Sequence, residues 1–502
     1  MAEHRLKTGM APTVAVADLM KQSGVAFGTS GARGLVEAMT DKICFAYTCA
    51  FLQHLGAVGQ FAAGGSVAIA GDLRPSTPRI LDACAAAIRH MKGVVVNCGF
   101  VPSPAVAAFA FERAMPSLMV TGSHIPDDRN GIKFNRADGE ILKPDEAAIR
   151  TQAVALPDLF DPSGSLRARA SMEALTDVGA AYVKRYTDFF GTQALAGMRL
   201  GIYQHSAVGR DLLTDLAEAL GAQTVPLGRS ERFIPVDTEA VRPEDQALAR
   251  SWAKNLALDA ILSTDGDSDR PLLADETGAW LRGDVLGICA ARALGLRAVA
   301  TPVSCNSAVE RSVFFDMVRR TRIGSPFVIE AMNALIDEGQ AGVCGYEANG
   351  GFLLGTDVNV DGRTLAALPT RDAILPMVAM LVDARRHNAP LSALQARLPE
   401  RYTFSDRLQA FPTARSEALI AHLEQGGSAE ILERLTAIFG DLTGEAQAID
   451  RTDGLRISFS NGDIIHLRPS GNAPELRCYT ESGTAERAAS LNTDVLQRIK
   501  TM

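Results

Sequence analysis

Three apolar runs rich in β-branched residues each end in a loop of small and polar residues and lead into a helical pattern. They are Ser66–Ala70 before GDLRPST, Met198–Tyr203 before QHSAVGR, and Ala298–Pro302 before VSCNS. A chain built this way is constrained to repeat an α/β unit, because each strand must be followed by a helix that covers the growing sheet. The interval between the runs is too long for a short-period solenoid. In open α/β sheets the ligand crevice lies outside the carboxyl ends of the strands, so these loops are where chemistry is expected.

The 502 residues exceed the roughly 100–200 of one domain, and three or four domains are expected. Hydrophobic residues make up 47% and charged residues 22%, as in an average globular protein, and no apolar run has the length to span a bilayer. The segment MAEHRLKTGMAPTVAVADLMKQ lacks the pattern of a secretory signal, so a soluble, cytoplasmic protein is expected. The eight cysteines are scattered without a CxxC pair and read as free thiols. A net charge of −8 gives no general attraction to nucleic acid or to anionic membranes, so an anionic ligand must be held by a local cluster of Arg, Lys and backbone N–H groups.

The last hundred or so residues read differently. LRISFSNGDIIHLR alternates apolar and polar residues around Asn461-Gly462, the signature of a hairpin with a type I′ turn, and a helix is expected over Ala485 to Lys500. Turn-forming stretches at 156–165 and 386–400, with a third division near Gly283, give expected domains of 1–162, 163–283, 284–395 and 396–502. The first three are expected to be similar mixed α/β domains and the last a smaller α+β domain.

Four constellations carry chemistry. The first, Ser263-Thr264-Asp265-Gly266-Asp267-Ser268-Asp269-Arg270, follows the apolar run LDAIL and places Asp at alternate positions. Three carboxylates on one side of an extended segment suit a hard divalent cation such as Mg²⁺, with a phosphate oxygen completing the set. An EF-hand is disfavoured, since no Glu follows at the required spacing. A solvated acidic turn is the plainer alternative, although packing like charges this closely is unfavourable without a cation.

The second is Thr121-Gly122-Ser123-His124-Ile125-Pro126, continuing to Lys133, on a loop just past the apolar run Leu118–Val120. A serine there serves as nucleophile or phosphate carrier if a neighbour takes its proton, and His124 and Lys133 are the candidates. The third, Gly345-Tyr346-Glu347-Ala348-Asn349-Gly350-Gly351, offers a carboxylate and an amide suited to sugar hydroxyls. The fourth, Arg468-Pro469-Ser470-Gly471-Asn472-Ala473-Pro474-Glu475-Leu476-Arg477, combines small residues with two arginines and makes a credible phosphate cradle. Each of the last three, standing alone, also reads as an ordinary turn or loop.

Taken jointly and in this order, the four stretches resemble the α-D-phosphohexomutase superfamily, as does the opening segment Phe27-Gly28-Thr29-Ser30-Gly31-Ala32-Arg33-Gly34. The resemblance covers essentially the whole chain. It implies four domains around a central cleft and a phosphohexomutase interconverting hexose 1- and 6-phosphates through a phosphoserine and a hexose 1,6-bisphosphate. By position, it implies that Ser123 is phosphorylated and that Asp265, Asp267 and Asp269 bind Mg²⁺ together with the phosphoserine oxygen. Arg33, His124, Lys133 and Arg270 would surround the transferring group, with Lys133 assisting proton transfer. Glu347 and Asn349 would read sugar hydroxyls, and Arg468, Ser470, Gly471, Asn472 and Arg477 would hold the phosphate that is not reacting.

Three departures bear on the substrate: Ser-His-Ile-Pro in place of the usual Ser-His-Asn-Pro, Ser268 in place of Gly, and Asn349 in place of Ser. Ser325, in Ile323-Gly324-Ser325-Pro326, stands where some relatives carry a sugar-contacting His. GYEANGG is less similar to the sugar loop of phosphoglucosamine mutases, which leaves that activity as the alternative and favours mannose, then glucose. A metal-dependent serine phosphatase and a non-catalytic sugar-phosphate sensor are the competing classes. The first fits poorly with one metal site and no His ligands, and the second has no need of serine and Asp triad together. Hexose phosphates are the expected partners, with no nucleic acid or membrane, and the chain is expected to act as a monomer or homodimer.

Overall fold

The computed structural model describes residues 13–28, 31–169, 171–470 and 474–502. Each of the three apolar runs forms the first of three parallel strands in its unit, and the three units share one order of these strands. In the first, Ser66–Gly71 lies between parallel strands Val94–Phe100 and Ser117–Val120, and Arg129–Asn135 continues the sheet antiparallel. In the second, Arg199–Tyr203 lies between Gln223–Leu227 and Ala260–Thr264, with Pro271–Ala274 antiparallel beyond. In the third, Ala298–Pro302 lies between Met317–Thr321 and Val343–Tyr346, with Phe352–Leu354 antiparallel. The repeat is thus one of topology, as the three runs imply. The units differ at the open edge: Gly31–Leu35 and Ala26–Phe27 extend the first sheet, and Leu368–Asp372 extends the third.

The central strands read as continuous apolar runs because helices cover both faces and leave no solvent side to be polar. Val67, Ala68, Ile69 and Ala70 are fully buried, as are Leu200, Ile202, Val299 and Ala300. The helical pattern after the first two loops becomes Thr77–His90 and Arg210–Ala219, but after VSCNS it is only the single turn Ala308–Arg311.

The C-terminal unit is an antiparallel sheet in the order Tyr402–Leu408, Leu476–Ser482, Ile464–Pro469, Leu455–Phe459, Ala446–Asp450. Helices Ser428–Thr443 and Ala485–Lys500, the latter with the expected bounds, contribute Leu435, Phe439, Leu491 and Val495 to its core. The hairpin at Asn461-Gly462 forms, but not with the expected type I′ turn. That turn needs positive φ at both central residues, whereas here Gly462 adopts φ 87° and Asn461 does not. Gly462 N donates to Phe459 O, and Phe459 N donates to Asp463 O, so the connection is a three-residue loop with glycine in the left-handed position. Asn461 is occupied otherwise: its side chain accepts from Asp463 N and donates to the Asp463 carboxylate.

All eight cysteines are buried and unpaired. Among the described residues no helix is long and apolar enough to cross a membrane.

The second and third units are tied together by a buried polar junction. Helix Gly179–Phe190 of the second presents Tyr182 and Tyr186, and both phenols donate to Asp372 at the end of strand Leu368–Asp372 in the third. Asp372 Oδ1 also accepts from Ile374 N at 2.9 Å, at the start of helix Ile374–Arg386. Removing one donor leaves a buried carboxylate short of a partner, which costs more than a solvated hydrogen bond returns. Tyr186→Phe is therefore expected to lower stability by about 1–3 kcal/mol, read as a lower thermal midpoint with the fold unchanged by circular dichroism.

Candidate active site

The loops at the carboxyl ends of the central strands face the end of the C-terminal sheet across a cleft of about 540 Å³. Arg33 and His124 reach it from the first unit, Asp237 and Arg270 from the second, Glu347, Asn349 and Arg371 from the third, and Arg468 and Arg477 from the C-terminal sheet. All four units thus contribute to one wall-to-wall site.

Ser123 stands on the loop after Ser117–Val120 with φ 56°, a left-handed conformation that costs a non-glycine residue energy and needs external support. Arg74, from GDLRPST, supplies it. The Arg74 guanidinium, fully buried, donates to the carbonyls of Ser123 (2.8 Å), Ile125 (2.6 Å), Pro126 (2.7 Å) and Arg129 (3.1 Å). Asp72 neutralises it at 3.0 Å, and the Phe233 ring lies against it, 4.0 Å from ring centre to Cζ. A Cβ at Gly122 would meet this guanidinium at 2.6 Å, which accounts for the glycine before the serine. No spacing rule in the sequence marked Arg74 as the organiser of this loop.

The Ser123 hydroxyl is fully buried and donates to Asp265 Oδ2 at 2.6 Å. Neither candidate base named from the sequence is its hydrogen-bond partner. His124 Nδ1 accepts from Arg270 Nη1 at 2.9 Å, which leaves the ring neutral. Burial, then the charge of Arg270, lowers its pKa to about 3. Lys133 Nζ instead bridges Asp267 Oδ2 and Asp269 Oδ2, each at 2.5 Å. Arg33, on strand Gly31–Leu35, has its pKa lowered to about 10 by burial and by Arg270, so cations crowd this side of the cleft.

Carboxylate oxygens of Asp265, Asp267 and Asp269 lie within 4.8 Å of one another, and all three residues are buried. Burial and the two neighbouring carboxylates push the Asp265 pKa well up. Burial acts the same way on Asp269, but Arg371, Lys133 and Arg270 outweigh it and hold that carboxyl below the usual range. Ser103 Oγ donates to Asp267 Oδ2 at 2.5 Å. Asp267 Oδ1 and Asp269 Oδ1, by contrast, are buried without a hydrogen-bond partner. Orphaned anionic oxygens inside a cluster of three carboxylates fit a hard divalent cation with oxygen ligands.

In the sugar loop, Gly351 N donates to Asn349 Oδ1 at 2.9 Å, closing a turn that leaves Glu347 and Asn349 on the cleft wall. Glu347 Oε2 accepts from Arg371 Nη1 at 3.3 Å. Ser325 is not on that wall. It is fully buried at the start of helix Ser325–Asp337, donating to Glu140 Oε2 at 3.0 Å, and its neighbours Gly324 and Pro326 line the cleft in its place.

At the far side, Arg468 and Arg477 are directly opposite in register on adjacent strands, and Arg407 is opposite Arg477 on the next. All three line the cleft. Like charges directly opposite on a sheet repel, so a row of three is unfavourable unless an anion is placed between them. Arg468 is balanced in part by Asp453 at 2.8 Å. Ser470 N donates to Glu475 O at 2.9 Å, closing the turn. Gly471 and Asn472, also expected here, lie outside the described residues. The sequence reading missed Arg371, Arg407 and Arg74, whose partners come from distant segments.

Residues 24–156, 180–278 and 282–402 match, in that order, the alpha/beta/alpha domains I, II and III of phosphoglucomutase/phosphomannomutase, and residues 415–498 match its C-terminal domain. The chain is 45% identical to a phosphomannomutase of Salmonella muenchen over 96% of its own length and 97% of the relative's. It is 43% identical to a phosphomannomutase of Sinorhizobium fredii, covering 93% and 97%. Relatives named phosphoglucosamine mutase stand further off, at 24–28% identity. The fold matches that of a phosphoglucomutase/phosphomannomutase family protein from Burkholderia thailandensis with a TM-score of 0.72 at 21% identity, covering 96% and 97% of the two chains. Four domains matched in order over most of the chain, with an arginine row on the cleft wall and the serine and carboxylate cluster buried beneath His124 and Arg270 that line it, place this chain in the phosphoglucomutase/phosphomannomutase family.

Proposed function

We propose that the chain is a phosphohexomutase that interconverts hexose 1-phosphate and hexose 6-phosphate, mannose first and glucose second, through a phosphoserine at Ser123. The observation that carries this reading is the pairing of the Ser123 hydroxyl with Asp265, buried behind the wall formed by His124 and Arg270, and the row Arg407, Arg477 and Arg468 on the cleft's other side. One end handles a reacting phosphoryl group and the other holds an anion. A hexose carrying phosphate at either end matches both. Relatives named phosphomannomutase at 43–45% identity support mannose over glucosamine. The domain divisions that go with this reading fall near residues 162, 283 and 395.

Asp265, Asp267 and Asp269, with the phosphoserine oxygen, would hold Mg²⁺, which supplies charge stabilisation to the phosphoryl group in transfer. The chain's own residues do the rest. Arg33, Arg270 and neutral His124 surround the group with donors fixed before the reaction, the arrangement that lowers a phosphoryl-transfer barrier most. The bond from phosphorus to Ser123 Oγ breaks as a sugar hydroxyl oxygen bonds to phosphorus. The hydroxyl proton ends on Ser123 Oγ, and Lys133 is the group proposed to pass it. Glu347 and Asn349 orient the sugar. The bisphosphate then reverses, its second phosphate donates to Ser123, and the arginine row accepts whichever phosphate is idle.

Two measurements test this. In ³¹P NMR with Mg²⁺ and a trace of hexose 1,6-bisphosphate, mannose 1-phosphate is expected to become the 6-phosphate, with glucose 1-phosphate slower. Ser123→Ala should reduce the rate roughly a thousandfold or more. Release of inorganic phosphate without isomerisation would replace the mutase with a phosphatase. Separately, Mg²⁺ at a hundredfold excess over its Kd should stabilise the protein by about 2.7 kcal/mol relative to EDTA, seen as a raised thermal midpoint. Asp267→Asn should abolish that rise, and an unchanged rise would remove the cluster as the metal site.

A further inference from the structure

Arg371 touches the carboxylate cluster and the sugar loop at once. It is the penultimate residue of the strand Leu368–Asp372, with its side chain almost fully buried. Nε donates to Asp269 Oδ2 at 3.0 Å, and Nη1 donates to Glu347 Oε2 at 3.3 Å. One rigid guanidinium plane therefore spans a proposed metal ligand and a proposed sugar ligand, which come from different units of the chain.

Three features around Arg371 hold it in that place. Gly351, the last glycine of the sugar loop, lies against its stem: a Cβ there would meet Arg371 Cδ at 2.5 Å and Cγ at 2.7 Å. The glycine clears the path by which the side chain reaches Asp269. On one flank Thr370 donates to Glu140 Oε1 at 2.7 Å, and on the other Asp372 is held by Tyr182 and Tyr186. Both flanking side chains are anchored, which leaves the guanidinium to share itself between the carboxylates of Asp269 and Glu347.

We propose that Arg371 is a positioning residue that couples the cation cluster to the sugar loop, so that binding of a divalent cation and binding of a hexose phosphate strengthen each other. This rests on the phosphohexomutase reading above. A cation drawn to Asp269 repels the guanidinium and shifts its weight toward Glu347. The fork then holds that carboxylate in one orientation for the sugar hydroxyls. By linkage the converse holds: a sugar that fixes Glu347 and its arginine leaves Asp269 freer for the cation, and the two factors must be equal. Lysine keeps the charge but has no planar fork to span both groups, so it cannot replace this arginine.

The test measures binding without turnover, in the Ser123→Ala background, by isothermal titration calorimetry. Mannose 6-phosphate is titrated in EDTA and in saturating Mg²⁺, and Mg²⁺ is titrated with and without mannose 6-phosphate. Both pairs are expected to show tightening of roughly tenfold. Arg371→Lys and Glu347→Gln should each bring the factor to within about twofold of unity, and the double variant should lose no more, since both break one link. Arg371→Gln should behave as Arg371→Lys, and if it does not fold, the lysine variant carries the test. Thermal midpoints check that the variants compared are folded. A coupling factor in Arg371→Lys equal to that of the parent overturns the inference while leaving the mutase reading intact. Failure of the parent itself to bind mannose 6-phosphate overturns the reading, and the inference with it.

Discussion

Asp265, Asp267 and Asp269 are buried with oxygens within 4.8 Å of one another, and this cluster is the constraint on which the site is built. Such a group is tolerated inside a protein only when cations come to it, since burial and mutual repulsion both oppose its ionisation. The chain brings Lys133 from the first unit, Arg270 from the cluster's own loop and Arg371 from the third. Three separately built sheets thus meet at one electrostatic knot, and the cleft lies beside that meeting point. Asp267 Oδ1 and Asp269 Oδ1 accept no hydrogen bond, and Arg270 Nε comes no nearer than 3.7 Å to the second of them.

The same economy of charge appears in the supporting structure. Arg74 and Asp72 neutralise each other beneath the serine loop, and the arginine spends its remaining donors on four carbonyls that would otherwise be poorly satisfied. The left-handed Ser123 is held by this scaffold rather than by its own preference. The arginine row of the C-terminal sheet is the reverse case, with three like charges in register and partial balance from two carboxylates, Asp453 at Arg468 and Glu475 at Arg407 and Arg477. A row of arginines on one wall and a buried carboxylate cluster behind the other suit a ligand with phosphate at both ends.

The topology explains why the site can draw on such distant segments. Each α/β unit has the first of its three parallel strands in the middle, flanked by the second and third, so the strand order reverses beside it and opens a crevice at the carboxyl ends. The serine, the carboxylates and the sugar loop all follow the third parallel strand of their units: Ser117–Val120, Ala260–Thr264 and Val343–Tyr346. One structural position, used three times, has taken three chemical roles.

The sequence by itself determined what depends on local order. The three buried strands declared themselves as apolar runs, the Asp-x-Asp-x-Asp spacing implied a cation site, and Asn461-Gly462 marked a hairpin. Asn-Gly allows more than one turn, however, and the turn formed was the one in which the asparagine side chain also bonds Asp463. Only the tertiary structure decided which charges meet. Arg371 sits in Pro369-Thr370-Arg371-Asp372, which has no pattern to set it apart from other arginines, and Asp269 and Glu347, to which it donates, lie 102 and 24 residues away. Ser325 stands where a resemblance implied a sugar contact, yet its hydroxyl donates to Glu140, 185 residues distant, away from the cleft. Hydrophobic periodicity and turn chemistry act between neighbours in sequence, whereas electrostatic pairing acts between neighbours in space, and only the folded chain says which those are.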